Sequence, residues 1–242
     1  MLIVLNEAEE KDIVPLQSLC KDTPDGIFLA GQISDSYIDD LMNRTKVPVI
    51  ALDFYRDGMK SDFILADNYQ LGYQAAMHMI NHGHKHIGFV GEVFSTSSIT
   101  DRFFGYVKAL AANGLPIRKE WFLVNNDYRT GRYTSDLTLP EDLPTGFVCH
   151  CEMAAYYLKL ALDKKGLRIP DDISVIAFDN TEISRTTMEN LATFNIGRHE
   201  IADMAFKVML RRISGDNASI SKHYVQSFFV EGTSVRMFCT VA

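Results

Sequence analysis

Short apolar runs alternate with longer amphipathic segments along almost the whole chain, and this alternation constrains the fold more than any other feature. Most of the runs are continuously apolar and rich in Val, Ile and Phe, which is typical of strands covered on both faces. The predicted strands are 2–5, 26–30, 48–52, 86–91, 121–124, 146–149, 173–178 and 192–196. The predicted helices are 68–82, 101–113, 152–165 and 198–213. The pattern predicts an α/β fold with mostly parallel sheets flanked by helices.

Composition and charge exclude several classes of function for these 242 residues. A hydrophobic content of 47% suits a globular protein with a proper core. No run of about 18 apolar residues occurs, so we expect no membrane span and no membrane partner. The net charge is −7, and basic residues gather in nothing larger than adjacent pairs such as Lys164-Lys165 and Arg211-Arg212. Because proteins that bind phosphate backbones usually carry a basic face, this chain alone is expected to bind nucleic acid poorly.

The cysteines and the N-terminus predict a cytoplasmic location. Residues 1–5 are too few for the apolar region of a secretory signal and have no basic flank. Four cysteines in a chain of this size do not form a disulfide framework, so reduced thiols are expected. They are Cys20, Cys149, Cys151 and Cys239.

Polar side chains recur directly after the predicted strands. They are Asp53, Glu92, the segment His150-Cys151-Glu152, and the pair Asp179-Asn180, while Asp101-Arg102 opens the helix that follows Glu92. Open parallel sheets bind ligands beyond the carboxyl ends of their strands. Taken singly, each residue is as well explained by capping of the next helix. Several of them at one edge favour a site for a polyhydroxyl or heterocyclic ligand.

Catalytic and metal sites are poorly supported. The chain has no G-x-G-x-x-G, P-loop, G-x-S-x-G or H-E-x-x-H motif. The histidines of 82–86 stand between a helix and a strand without a carboxylate at ligand spacing, so solvated turn residues are expected there. Cys149 and Cys151 are too few for a structural zinc site. We therefore predict no catalytic residue, metal ion or cofactor, and hence no enzyme.

Two further features leave alternatives open. Tyr128, in the loop after 121–124, could offer a flat surface to a sugar or a base. The helix 198–213 has an apolar arc wider than a single core contact needs. That arc fits either a helix between the sheet and a neighbouring element or a contact between subunits.

Three motifs resemble the LacI/GalR family of bacterial transcription regulators. Residues 81–88, NHGHKHIG, are similar to the "GH-basic-x-I" turn of that family, and 101–106, DRFFGY, to its "R-x-x-G-aromatic" helix start. Residues 166–180, GLRIPDDISVIAFDN, resemble its most distinctive segment, "G-x-x-I/V-P-x-D-I-S-V-I-G-F-D". The tail 231–236 resembles its closing strand loosely.

The resemblance implies a periplasmic-binding-protein-like type I fold, with two Rossmann-like subdomains and a ligand cleft between them. The first subdomain would comprise 1–92 and 197–226, and the second 93–196 and 227–242. In the family a sugar, nucleobase or related metabolite binds in the cleft and changes the DNA affinity of an N-terminal helix-turn-helix, in a homodimer. The implied ligand contacts are Asp53, Arg102, Tyr128, Cys151, Glu152, Asp179 and Asn180.

This chain departs from the family pattern at three places. Cys151-Glu152 stands where the family has Asn-Asp, and 189–193, ENLAT, replaces "P-x-L-T-T". The chain also begins at what the resemblance implies is the second strand, so the helix-turn-helix and the first β-α unit are expected to be missing. Operator DNA would then be bound only through that missing segment.

The leading hypothesis is the effector-sensing domain of a LacI-type repressor or related regulator. The alternative is the solute-binding protein of a sugar ABC transporter, which shares the fold but requires a secretory signal. An α/β enzyme is the third hypothesis, without a nucleophile–base pair to support it.

Overall fold

The computed structural model confirms the α/β fold and describes residues 1–19, 22–124, 133 and 137–238. The strands are β1 Ile27–Ala30, β2 Val49–Leu52, β3 Asp62–Ala66, β4 Ile87–Val90, β5 Phe122–Leu123, β6 Gly146–Cys149, β7 Ser174–Phe178, β8 Ala192–Asn195, β9 Lys222–Val225 and β10 Phe228–Val230. The helices are α1 Glu7–Lys11, α2 Leu16–Leu19, α3 Asp35–Arg44, α4 Asn68–Asn81, α5 Ser97–Ala112, α6 Glu152–Lys164, α7 Glu182–Thr187 and α8 Arg198–Ile213. Within the described ranges, no helix is both long and apolar enough to cross a bilayer.

The chain divides into two compact units, each built from two separate segments. Unit 1 comprises Met1–Ala66 and Arg198–Val225, and unit 2 comprises Asp67–Gly197 and Gln226–Ala242. The first division falls after Ala66 and not at the expected residue 92. The reason is that β4 is hydrogen-bonded to β5 and β6, so the segment from α4 to β4 belongs to the sheet of unit 2.

Unit 1 is a parallel four-stranded sheet in the order β1-β2-β3-β9, covered on both faces. One face packs Val49, Ala51 and Leu65 against Ile38 and Leu41 of α3. The other face packs against α8, with a cluster of Ile50, Ile64, Ile201, Ala205, Val208 and Met209. Alternate residues of β2 and β3 therefore point to opposite layers, which explains why 49–52 and 63–66 are continuously apolar.

A buried ion pair joins the two segments of unit 1. Asp62, at the start of β3, accepts hydrogen bonds from Nε and Nη2 of Arg212 at 2.7 and 2.9 Å. It also accepts one from the backbone N–H of Ser221 at 3.0 Å. Burial alone would raise the pKa of Asp62, but these hydrogen bonds and the charge of Arg212 outweigh it and lower the pKa below 3.8. The carboxylate is thus the ionised partner of a bidentate pair.

The apolar arc of α8 has a buried and an exposed part. Its buried residues are those packed on β2 and β3, as expected for a helix that covers a sheet. Phe206, Leu210 and Ile213 remain exposed on the neighbouring side of the helix. The structure therefore accounts for half of the arc by core packing.

Unit 2 is a six-stranded sheet in the order β10-β8-β7-β6-β4-β5, in which only the β10–β8 pair is antiparallel. On one face α6 packs Ala154, Leu158 and Leu162 against Phe147 and Val175. On the opposite face Tyr106 of α5 is fully buried, and its hydroxyl donates to the carbonyl of Ile87 at 2.7 Å.

Helices α4 and α5 cross in close backbone contact. A Cβ on Gly72 of α4 would lie 1.9 Å from the carbonyl oxygen of Arg102. Reciprocally, a Cβ on Gly105 of α5 would lie 2.0 Å from the carbonyl oxygen of Tyr69. Neither position has room for any side chain, so the two glycines set the distance between the helices.

One predicted strand is wrong, and three of the described strands, β3, β9 and β10, were not predicted. Residues 2–5 do not form a strand: they precede α1, and Leu2 and Val4 are exposed. An apolar run becomes a strand only where a neighbour pairs with its backbone, and among the described strands β1 pairs with β2 alone. Conversely β3 was not predicted, because it begins with a charged residue whose partner, Arg212, is 150 residues away.

The turn 82–86, expected to be solvated, includes one buried histidine. His84 is buried, with Nδ1 2.7 Å from Oγ1 of Thr145 and Nε2 3.2 Å from the carbonyl oxygen of Arg236. Burial lowers the pKa of His84 to about 4, so the imidazole is neutral near pH 7. Phe238 donates its backbone N–H to the carbonyl of His82. The turn therefore anchors the segment that follows β10.

Gly72→Ala is expected to lower the free energy of unfolding of the protein by about 2–3 kcal/mol, because the added methyl group forces the two helices apart. Urea unfolding followed by circular dichroism measures this. Gln74→Ala, on the exposed side of α4, is the control and should change stability by no more than about 0.5 kcal/mol. A parent-like midpoint for Gly72→Ala would show that the close crossing is not required.

Asp62→Asn is expected to cost about 3 kcal/mol at pH 7, because it leaves the Arg212 guanidinium without its charged partner. Since the pKa of Asp62 is lowered by folding, the pair stabilises unit 1 above pH 3.8, and this contribution is lost as the pH falls further. Parent and variant should therefore converge in acid denaturation profiles below that pH. Asp40→Asn, which breaks the solvent-exposed pair with Arg44, serves as the control and should cost under about 1 kcal/mol. Equal losses for the two variants would contradict the role assigned to Asp62.

Candidate functional site

The carboxyl ends of β6 and β7 bring five of the predicted residues together in unit 2. Val148 of β6 pairs with Ile176 of β7, so the segments that follow the two strands emerge side by side. Cys151 and Glu152 follow β6, and Asp179 and Asn180 follow β7. Arg102 reaches the same place from the second turn of α5. We consider this edge of the sheet the candidate site.

Arg102 is buried and held by groups from three different elements. Its Nε donates to Oδ1 of Asn68, the first residue of α4, at 2.7 Å. Its Nη1 donates to the carbonyl oxygen of His150 at 2.5 Å and lies 3.6 Å from Oδ1 of Asp179. The guanidinium carbon also stands 4.7 Å from the ring centroid of Phe178. A buried guanidinium requires such compensation, and here it also fixes the orientation of the charge.

Asp179 is the more accessible member of the Arg102–Asp179 pair. Its side chain is 24% exposed, against 4% for that of Arg102. Asp179 has φ 107° and Asn180 has φ 50°, which are conformations that residues other than glycine rarely adopt. The backbone N–H of Asp179 donates to the carbonyl of Phe194 on β8 at 2.8 Å. Backbone strain of this kind clusters at ligand sites, where it aims a side chain.

Glu152, which the resemblance implies as a ligand contact, accepts hydrogen bonds from within the protein. It is only 2% exposed, and both of its carboxylate oxygens accept hydrogen bonds inside the protein. Oε2 accepts from the backbone N–H and the hydroxyl of Thr181 at 2.7 and 2.5 Å. Oε1 accepts from the hydroxyl of Thr193 at 3.1 Å. These bonds place Glu152 beneath the turn that carries Asp179.

Cys151 caps the N-terminus of α6. Its Sγ accepts the backbone N–H of Ala154 at 3.4 Å and lies 3.1 Å from the hydroxyl of Tyr133. Burial, together with the negative charge of Asp179, raises the pKa of Cys151 to about 11. The group is therefore a neutral thiol near pH 7.

His150, expected at this edge but not among the ligand contacts, lies in the group together with Tyr133, which was not predicted. His150 is buried, and burial together with the charge of Arg102 lowers its pKa to about 3. Its ring is nearly parallel to that of Tyr133, with centroids 6.1 Å apart, and Tyr133 stacks on Tyr157 at 5.6 Å. Burial also raises the pKa of the Tyr133 phenol. His150 adjoins Cys151 in sequence, but nothing in the sequence around Tyr133 indicates this contact.

The two remaining predicted residues are Asp53 and Tyr128. Asp53, in unit 1, directly follows β2 and has φ 54°. Its Oδ1 accepts the backbone N–H of Ala66 at 3.3 Å, and its own N–H donates to the carbonyl of Ile64 at 2.8 Å. Tyr128 lies outside the described residues.

Near pH 7 the neutral thiol and imidazole of the group offer hydrogen bonding. Sγ of Cys151 lies 3.6 Å from Nε2 of His150, a distance that resembles a nucleophile with its base. However, a pKa of about 11 for the thiol and about 3 for the imidazole makes proton transfer between them strongly unfavourable. Among the described residues, no group of three or more His, Cys, Asp or Glu side chains is arranged to hold a metal ion.

Comparison with protein families gives one match that covers most of the chain. Residues 76–235 match the periplasmic binding protein-like domain. This range includes β4–β10 and every residue of the Arg102–Asp179 group described above except Asn68.

Comparison with individual proteins points the same way. The HTH-type transcriptional repressor PurR of Glaesserella parasuis serovar 5 (strain SH0165) is 34% identical over 212 residues, which are 86% of this chain. The chain spans 62% of the length of that repressor.

Two solved structures share the fold. The transcription regulator CcpA of Lactococcus lactis superposes with a TM-score of 0.81 at 18% identity, covering 95% of this chain and 84% of that one. A LacI family transcriptional regulator from Enterococcus faecium with bound ribose superposes with a TM-score of 0.72 at 21% identity, covering 89% of this chain and 81% of that one. The chain thus belongs to the family of periplasmic-binding-protein-like domains and is of the LacI/GalR type.

Proposed function

We propose that this chain is the effector-sensing domain of a LacI/GalR-type transcriptional repressor and binds a sugar or a related small polar metabolite. The observation that carries the proposal is the Arg102–Asp179 pair at the carboxyl edge of the unit 2 sheet. The pair combines a fixed guanidinium with a partly exposed carboxylate on a strained turn. In this proposal Asp179 accepts hydrogen bonds from ligand hydroxyl or N–H groups, and Arg102 orients its carboxylate.

The neutral surroundings of the pair support binding without turnover. His150, Cys151 and Tyr133 are all uncharged near pH 7. Two of them, His150 and Tyr133, have flat aromatic rings. Sugars and heterocycles are held by this combination of few polar groups and flat faces. The Enterococcus faecium regulator, which shares the fold, has ribose bound. A repressor as relative also favours regulation over solute transport.

The output of the domain is part of the proposal. Asn180 is the further ligand contact in this proposal, and binding favours one of two conformations of the protein. That shift controls a helix-turn-helix that binds operator DNA in the cytoplasm. The functional molecule is a homodimer, and no catalytic step is involved.

The exposed part of the α8 arc is the proposed subunit contact. Phe206, Leu210 and Ile213 stand one turn apart along one side of the helix, which suits packing against a second copy of the chain.

Asp179→Ala is expected to abolish the rise in melting temperature that the effector produces, because it removes the charged acceptor of the ligand hydrogen bonds. The affinity should fall by about tenfold to a hundredfold. Thermal shift across pentoses, hexoses, disaccharides, nucleobases and sugar phosphates identifies the effector, and calorimetry then compares the variants. Asp163→Ala, at an exposed ion pair on α6, is the control. A variant that responds like the parent would remove Asp179 from the site.

Phe206→Glu is expected to convert a dimer into a monomer of 27.3 kDa, because it places a charge in the apolar contact. Sedimentation velocity at several concentrations measures the mass. Lys207→Glu, one position along the helix and away from the apolar side, controls for the change of charge. If Phe206→Glu sediments as the parent does, this side of α8 is not the subunit contact.

A further inference from the structure

Glu152 is a buried carboxylate that accepts three hydrogen bonds from the protein itself. It is the first residue of α6, where the helix dipole favours a negative charge. Oε2 of Glu152 accepts two hydrogen bonds from Thr181, which follows β7. Oε1 accepts one from Thr193 on β8. Two of these bonds, both from Thr181, are short, as hydrogen bonds to a carboxylate are when they are strong.

One end of this link is the turn that carries Asp179. Thr181 donates both its backbone N–H and its hydroxyl to Oε2 of Glu152. Asp179 and Asn180, the two residues before it, hold the positive φ angles. Glu152 therefore holds the turn at Thr181, the residue directly after the two with positive φ. This contact limits how far Asp179 can move.

The other end of the link is β8. Thr193 is buried in the middle of this strand and donates its hydroxyl to Oε1 of Glu152. The strand ends at Asn195, and unit 2 gives way to unit 1 between Gly197 and Arg198. Asn195 also accepts the backbone N–H of Gly197 through its side chain at 2.8 Å. Glu152 thus joins the Asp179 turn to the segment through which the chain leaves unit 2.

We propose that Glu152 is a positioning residue that transmits the state of the Asp179 turn to β8 and to the crossing segment 195–197. It does not contact the effector. A ligand that reduces the motion of Asp179 also reduces that of Thr181. Because Glu152 bonds to both Thr181 and Thr193, the motion of Thr193 is reduced as well. The transmission of a ligand signal rests on the proposed function, whereas the mechanical link between the turn and β8 does not.

Amide hydrogen exchange of the ligand-free protein tests the link. Glu152→Gln removes the charge, and Thr193→Val removes one partner while leaving the shape of the side chain nearly unchanged. Each is expected to raise exchange at 179–181 and at 195–197 together, by about tenfold, while β4 keeps the parent rate. Glu189→Gln, an exposed carboxylate just before β8, is the matched control and should leave both segments unchanged.

Three outcomes of the exchange experiment overturn the proposal. A rise confined to 179–181 would make Glu152 a local support of the turn. A rise that includes β4 would make it a general stabiliser of unit 2. No rise in either segment would remove the link altogether.

A double-mutant cycle separates positioning from ligand contact. Glu152→Gln and Thr193→Val should each weaken binding of the compound found in the thermal-shift screen by a similar factor, and the double variant should be no weaker than either. A normal affinity for Thr193→Val with a reduced affinity for Glu152→Gln would make Glu152 a direct contact and overturn the proposal. If no compound in the screen binds the parent, the proposed function fails, while the exchange result still decides the link.

Discussion

The candidate site depends on how closely α4 and α5 approach each other. Gly72 and Gly105 remove the side chains at the crossing, so that each helix packs against a carbonyl oxygen of the other. This proximity brings Asn68 at the start of α4 within 2.7 Å of the Arg102 guanidinium on α5. Because that guanidinium is also bonded to His150 and close to Asp179, the crossing distance determines where the charge of the site stands.

Each unit buries a few charged side chains, and each of these has hydrogen-bond partners from distant parts of the chain. Asp62 is met by Arg212, Arg102 by Asn68 and His150, and Glu152 by Thr181 and Thr193. A buried charge without such partners would be strongly unfavourable. The same networks that make these charges tolerable also fix the relative positions of strands and turns. In unit 2 this gives a rigid frame around a neutral thiol and a neutral imidazole.

Much of this arrangement could be read from the sequence, since local patterns carry it. Continuous apolar runs predicted seven of the strands, and helical periodicity predicted α4, α5, α6 and α8. The rule that ligands bind beyond strand ends singled out Arg102, Cys151, Glu152 and Asp179, which the structure brings together. The failures concern pairing over long distances. Residues 2–5 have the composition of a strand, but no neighbouring strand pairs with them. Strand β3 begins with Asp62, whose burial becomes understandable only with its ion-pair partner Arg212.

Chemical states were equally invisible in the sequence. The sequence predicts Cys151 and Glu152 as two polar ligand contacts. In the structure, Cys151 is a buried, neutral cap of α6. Glu152 accepts hydrogen bonds from two threonines of other elements. Thr181 and Thr193 have no motif of their own. Their role exists only once β6, β7 and β8 lie side by side.

The pairing of β3 with β9 also sets an order of events during synthesis. Phe63 lies opposite Lys222, so the last strand of the unit 1 sheet leaves the ribosome about 160 residues after its neighbour. At usual translation rates this interval is on the order of ten seconds. During that time one edge of β3, with Ile64 and Leu65, is open to other chains, and Asp62 has no cation. The nascent protein is therefore most vulnerable to aggregation while unit 2 is being made, and chaperone binding at β3 would shield it in that period.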